Sequence, residues 1–325
     1  MTPATTVAPA TPATSAAPEA SSVAGQARRP SLGRRWKAGV PAVVTVVTEV
    51  KAAVRAVAQA AALALAGVAF SQAHAQLTPT ASPAACKGTV YLTFDTGHMG
   101  VAELVEQVLA RQQVKATFFL ADEPTLTGGS SLDAQWAPWW RRMAQAGHRF
   151  GSHTLHHDYW KADLPGGRFR IQASAGPMAG QPQDWDVQAY CRSLDGVRDR
   201  FKAMTGQAML PLFRAPGGKT SPALLDTGKS CGYAHVPWTP NGFLGDELSS
   251  EKFPNRQLLK QSLERVRDGD ILLAHLGIRS RQDPWAPAVL EPLVSGLKAK
   301  GLCFATIDQH PRYQAWLATQ SSARR

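Results

Sequence analysis

The chain has 325 residues, 35 Lys and Arg against 24 Asp and Glu, 44% hydrophobic residues, 8% aromatics and four cysteines. Those totals exclude a disordered chain, a collagen-like repeat and a small disulfide scaffold, and leave one large domain or two ordinary ones. The formal charge of +11 invites a nucleic-acid reading, but the composition changes sharply near residue 76.

Residues 2–27 are almost entirely Ala, Thr, Pro, Ser and Val with no aromatic, too little apolar area to offset the entropy of ordering them. A basic patch follows (Arg28, Arg29, Arg34, Arg35, Lys37, then Lys51 and Arg55), then an uncharged run from Ala56 to Phe70 and the triplet Ala73-His74-Ala75. Positive flank, short apolar core and A-x-A site predict a secretory signal peptide cut after Ala75. The alternative is an uncleaved membrane anchor, although fifteen residues including Gln59 fall short of the roughly 20 that a span requires. Without residues 1–75 the charge is 28 basic against 22 acidic, or +6, and no basic stripe supports nucleic acid as a partner. The expected divisions are a leader (1–75), a linker (76–87), a folded domain (88–312) and a C-terminal tail (313–325). The expected location is periplasmic or secreted, with no stable membrane span after cleavage.

Short β-rich runs recur in the mature part: Thr89–Phe94, Lys115–Leu120, His148–Ser152, Met209–Arg214, Ala234–Trp238, Ile271–His275 and Cys303–Ile307. Between them lie helical spacings such as Leu104, Val105 and Val108, or Tyr190, Leu194, Val197 and Phe201. Strands alternating with helices predict an α/β fold whose parallel sheet is curled or closed, and about 250 residues suit a single barrel. Cys86 precedes the first strand and Cys303 opens the last, neighbours in a closed sheet, which favours pairing them and leaves Cys191 with Cys231. Four free thiols are the alternative.

The strand ends carry the chemistry. Asp95 in Thr93-Phe94-Asp95-Thr96-Gly97, His153 in Ser152-His153-Thr154-Leu155-His156-His157, Arg214 in Arg214-Ala215-Pro216-Gly217-Gly218 and His275 in Leu273-Ala274-His275 are separated by 58, 61 and 61 residues, about two βα units each. In a parallel barrel the C-terminal strand ends open on one face, where catalytic groups gather. Singly, each feature has a plain structural reading: an Asp after a strand caps helices, a pair of histidines arises by chance, and Pro-Gly-Gly makes turns. Their joint order is the signal.

Across about residues 88–310 the chain resembles the polysaccharide deacetylase family, the chitooligosaccharide-deacetylase-like carbohydrate esterases. The family pattern T-F-D-D-G, H-[ST]-x-x-H, R-x-P-[YG]-[GS], an Asp/Trp motif and L-x-H is matched in order at four of its five places. The resemblance implies an incomplete (β/α)7-type barrel and metal-dependent deacetylation, N-deacetylation first, of an acetylated polysaccharide or oligosaccharide. It implies Asp95 as general base, His153 and His157 as ligands of a divalent metal (zinc first, cobalt or another ion as alternatives), and Arg214 as the cation orienting the base. His275 becomes the general acid, the Gly217 N–H an oxyanion donor and Leu273 the wall of the acetyl pocket. The roles suit the residue types, since a metal polarises a carbonyl and acidifies a water whose proton a carboxylate takes.

Two departures stand out. The second Asp of T-F-D-D-G, a metal ligand in the family, is Thr96 here. Either Thr96, a weak ligand, stays with two histidines and water, or a replacement enters, with His98 and Asp158 nearest in sequence. After the fifth strand no clear Asp-x-x-Asp-Trp follows; Asn241 or Asp246 can stand in, and without such a carboxylate His275 would have a less elevated pKa. The Gly- and Pro-rich stretch 158–184 is long for a βα loop and is expected to wall the cleft. Trp160, Trp185 and Trp285 are candidate sugar platforms, whereas Trp136, Trp139 and Trp140 are expected to pack in a helix. The competing hypothesis is a glycan-binding pseudoenzyme whose metal site was degraded by the change at Thr96.

Overall fold

The first strand sets the site's geometry through its period of two. In the computed structural model, which describes residues 86–322, β1 (Gly88–Asp95) is buried over its last six residues. Val90, Leu92 and Phe94 join the apolar cluster shared with the helices, whereas Tyr91 belongs to a second cluster with Phe119, Leu212, Val236 and Ile271. Side chains alternate across a strand, so Thr93 and Asp95 share the face of Tyr91 and enter the barrel interior. The low-complexity segment, basic patch, apolar run and Ala73-His74-Ala75, and with them the expected signal peptide, lie outside the described residues.

From β1 the chain runs through α1 (Ala102–Arg111), β2 (Thr117–Leu120), α2 (Ala137–Gln145), β3 (Arg149–Ser152), β4 (Asp158–Leu164), β5 (Arg168–Ala173) and β6 (Pro182–Trp185). It continues with α3 (Val187–Thr205), β7 (Leu212–Phe213), α4 (Pro222–Ser230), β8 (Ala234–His235), α5 (Asn255–Arg265), β9 (Ile271–His275), α6 (Glu291–Ala299), β10 (Leu302–Phe304) and α7 (Pro311–Ser322). The main sheet is parallel in the order β10-β1-β2-β3-β7-β8, with β9 also beside β1. β1 changes partners along its length: Gly88–Val90 pair with β10, Tyr91–Asp95 with β9 and Thr93–Asp95 with β2. The Thr239 N–H donates to the Ile271 carbonyl at 3.1 Å, and a bridge joins Phe243 to Leu273. These bonds bring the chain after β8 back to β9, giving a curled, incompletely closed α/β barrel.

All seven predicted strands are present, five of them shorter than expected and β7 and β8 the most. Pro211 and Pro237 have no N–H for a ladder, and the regular pairing stops at Leu212–Phe213 and Ala234–His235. The stretch 158–184, expected as loop, is instead an antiparallel sheet β4-β5-β6. Its central strand alternates exposed Arg168 and Arg170 with buried Phe169 and Ile171, and that apolar face packs on Tyr190 and Leu194 of α3. Residues 313–322, expected as a tail, form most of α7. Tyr313 is 2% exposed, and the Trp316 indole donates to the Pro211 carbonyl at 3.0 Å, so this helix closes the interior cluster and belongs to the domain.

Both favoured disulfides form, Cys86–Cys303 and Cys191–Cys231, and no free cysteine remains. The first ties the chain before β1 to its ladder partner β10; the second ties α3 to the end of α4. Replacing Cys86 and Cys303 together by serine is expected to lower stability by about 2–5 kcal/mol, read from urea unfolding without reductant.

Candidate active site

The C-terminal ends of the central strands open on a cavity of about 120 Å³ lined by Asp95, His153, His157, Gly217, Leu273 and His275. Seven of the eight site residues expected from sequence thus share, or directly support, one cavity; the support is Arg214, which lies fully buried beneath it. Arg214 Nη1 donates to Asp95 Oδ1 at 2.8 Å and Nε donates to the Val236 carbonyl at 3.1 Å. Its guanidinium lies 4.3 Å from the Phe119 ring centre. Burial pushes the Asp95 pKa up, but the charges of Arg214 and His275 outweigh it and hold the carboxyl below its usual value. Since Arg214 occupies Oδ1, Oδ2 is the oxygen left to take a proton.

His153 and His157 come from the strained turn after β3. Thr154 and His157 have φ of 63° and 54°, a region that β-branched Thr rarely enters. The turn is held by the Asp158 N–H donating to Thr154 Oγ1 at 2.6 Å. It brings the two imidazole centres to 4.8 Å. His153 Nδ1 faces the Arg214 carbonyl at 2.9 Å; a carbonyl only accepts, so Nδ1 carries the proton and Nε2 presents its lone pair. Burial drives the His153 pKa down to about 4, leaving a neutral imidazole at neutral pH. His157 Nδ1 is engaged by Ser174 Oγ at 2.7 Å, which leaves its Nε2 uncommitted.

Thr96 does not present its hydroxyl as a free ligand. It donates to Glu123 Oε2 at 2.5 Å and accepts from the Ala121 N–H at 3.1 Å. The Gly97 N–H donates to the same Glu123 oxygen at 2.8 Å. Glu123 lines the cavity; burial raises its pKa, but His157, Thr96, His153 and Gly97 together keep it below the ordinary value. Neither replacement suggested by sequence reaches the imidazole pair in this way. His98 Nδ1 accepts from the Gly100 N–H and lines a separate cavity of about 210 Å³ on the other side of His275. Asp158 Oδ2 accepts from Ser193 Oγ at 2.6 Å, and burial raises the pKa of that carboxyl.

The carboxylate that the fourth motif left unassigned is Asp246. It is buried, accepts the His275 backbone N–H at 2.7 Å and lies 3.1 Å from His275 Nδ1, whereas Asn241 is exposed. The condition for a less elevated His275 pKa, a missing carboxylate, is therefore not met. Burial disfavours the imidazolium, but Asp246, Asp95 and Glu247 outweigh it and lift the pKa to about 9. Asp246→Asn is expected to return it toward or below 6.5, followed by NMR titration of the imidazole. Because the folded pKa is raised, this group's stabilisation is complete below pH 6.5 and lost as pH rises through about 9. The stability gap between wild type and variant should shrink over that window.

Gly217 has φ of 61°, and a Cβ there would meet the Tyr159 ring at 2.8 Å, so a larger side chain would invade the cavity wall. The aromatic groups lining the cavity are Tyr159 and Trp238, which the sequence did not single out as platforms. Trp160 and Trp185 pack on the α3 face of the antiparallel sheet. Trp285 is buried and faces the other cavity. Trp139 and Trp140 are core residues, with Trp136 packed against them. Glu247, also missed, approaches His275 Nε2 at 4.0 Å.

The donors suit a divalent cation in kind: two imidazoles and a carboxylate on one cavity wall. Among the described residues, no three His, Cys, Asp or Glu side chains are yet gathered closely enough to hold one.

The polysaccharide deacetylase family model matches residues 83–236. The peptidoglycan-N-acetylmuramic acid deacetylase PdaA of Bacillus subtilis is 27% identical over 68% of this chain and 70% of its own. A solved peptidoglycan N-acetylglucosamine deacetylase superposes with a TM-score of 0.51 at 20% identity, covering 68% of this chain and 87% of that one. A pseudoenzyme of carbohydrate esterase family 4 from Bacillus anthracis does so with 0.50 at 17% identity, covering 70% and 66%. With the strand-end motifs on one face of the barrel, the chain is similar over residues 83–236 to the polysaccharide deacetylase family, whose members are hydrolases acting on carbon–nitrogen bonds.

Proposed function

We propose that this protein is an exported, metal-dependent deacetylase that hydrolyses the acetamide of an acetylated glycan to acetate and a free amine. The observation that carries the reading is the pairing of two opposed groups across one cavity: Asp95 held ionised by Arg214, and His275 held protonated by Asp246. A base and an acid kept apart in pKa by their surroundings are what amide hydrolysis requires.

A divalent ion held by His153 and His157 would polarise the acetyl carbonyl and acidify the attacking water. Asp95 Oδ2 takes the proton as the water oxygen bonds to the carbonyl carbon, while Arg214 keeps Oδ1 in place. The Gly217 N–H stabilises the oxyanion, and Leu273 walls the space for the methyl group. His275 gives its proton to the nitrogen as the C–N bond breaks. Tyr159 and Trp238 offer ring faces for sugar stacking.

Ala73-His74-Ala75 after an apolar run, together with two disulfides, supports export to an oxidising compartment. The peptidoglycan named for the relatives makes cell-wall glycan the first substrate to assay, beside acetylated chito-oligomers. Thr96 in place of Asp favours a second reading, a glycan-binding pseudoenzyme. Acetate release from both substrates, with and without added Zn²⁺ or Co²⁺, separates them. Glycan binding without acetate under every condition would sink the enzyme reading.

A further inference from the structure

Chain position and side-chain position part company at the first motif. Thr96 stands where the family carries an acidic ligand, yet the structure brings a carboxylate there from 27 residues away. That carboxylate is Glu123, three residues past the end of β2. Its placement is built in. The Glu123 N–H donates to Ser131 Oγ at 3.0 Å, and the Ser131 N–H donates to the Glu123 carbonyl at 2.9 Å. One residue earlier, the Asp122 N–H donates to the Leu155 carbonyl at 2.6 Å, which fastens this loop directly to the turn bearing His153 and His157. The two neighbouring acids point to different tasks: the Asp122 carboxylate pairs with Arg200 and Ser130, whereas Glu123 lines the cavity with both imidazoles.

The hydroxyl of Thr96 and the N–H of Gly97 both bond Glu123 Oε2, so Oε1 takes no part in the clamp. A hydroxyl is a poor cation ligand but a good donor to one oxygen of a carboxylate, and a ligating carboxylate is commonly oriented by such a bond. We propose that Glu123 is the anionic ligand of this site, set in place by Thr96 and Gly97, so that a divalent cation would, on binding, draw together His153, His157 and Glu123, which share one cavity but do not by themselves form a closed ligand set. The first motif then keeps the orienting half of the task at position 96 and delegates the charge to the loop after β2. This inference rests on the metal-dependent reading above.

Metal binding by the purified protein tests it without reference to activity. Zn²⁺ affinity is measured by chelator competition and the Co²⁺ site by visible absorption, with thermal unfolding of the metal-free variants as a check on folding. Glu123→Gln should weaken Zn²⁺ binding more than ~10-fold and alter the Co²⁺ spectrum. Adding Thr96→Asp to Glu123→Gln should restore most of the affinity, since it returns a carboxylate to the end of β1. Thr96→Val should weaken binding less than Glu123→Gln, because it removes the orienting bond and leaves the charge. A Glu123→Gln protein that folds and binds Zn²⁺ as tightly as wild type, with an unchanged Co²⁺ spectrum, would overturn the role of Glu123 alone. A wild-type protein that binds neither ion would overturn it together with the metal-dependent reading.

Discussion

Asp95→Asn is expected to reduce acetate release by about 10²–10⁴-fold, the usual contribution of one positioned acid or base. Asparagine keeps the shape and can still accept the Arg214 hydrogen bond on Oδ1, but it cannot take a proton from water. The loss should therefore fall on kcat, with circular dichroism unchanged. Neutralising Asp95 also leaves Arg214 charged and buried, and Arg214 Nη2 already has no hydrogen-bond partner among the described residues. A lower Tm should accompany the loss of activity. A variant that kept wild-type kcat would remove Asp95 from the base role.

Arg214→Met carries the largest expected effect on stability. The guanidinium is fully buried, and its partner Asp95 is nearly so; removing one member of such a pair typically costs about 3–5 kcal/mol, because the other is left as an uncompensated charge. Urea unfolding at neutral pH measures it. The pH dependence has a definite sign. Asp95 has a depressed pKa in the folded protein, so its contribution is present above the ordinary carboxylate value and lost as pH falls through the lowered one. The difference between wild type and Arg214→Met should therefore be large at neutral pH and close on acidification. Adding Asp95→Leu should recover part of the stability, since two apolar groups leave no buried charge.

The two cavities beside His275 differ in character, which bears on how a substrate enters. The larger, lined by Val101, Leu126 and Trp285, is mainly apolar and carries neither the base nor the imidazole pair. The smaller holds Asp95, His153 and His157. Position relative to the paired charges, rather than size, makes the smaller cavity the proposed reacting centre.

The sequence by itself determined the seven parallel strands and the placing of Asp95, His153, Arg214 and His275 at their ends. Those are local facts: a strand is legible from its own apolar run, and the strand end places the next side chain at the barrel mouth. The favoured cysteine pairing was legible for the same reason, since it followed from which strands must be neighbours. The antiparallel sheet β4-β5-β6 was hidden because its strands are short and its Gly-Gly turn reads as loop. Residues 313–322 were hidden because a helix that closes a barrel is apolar only where it meets the barrel. Tertiary structure chose Asp246 over Asn241, and it alone put Glu123 beside Thr96. Glu123 reaches Thr96 across 27 residues and Asp246 reaches His275 across 29, each from a loop whose sequence has no period to read. A carboxylate on a loop acquires its role from whatever the fold places against it, and that is a property of the curled barrel rather than of the residues beside it in the chain.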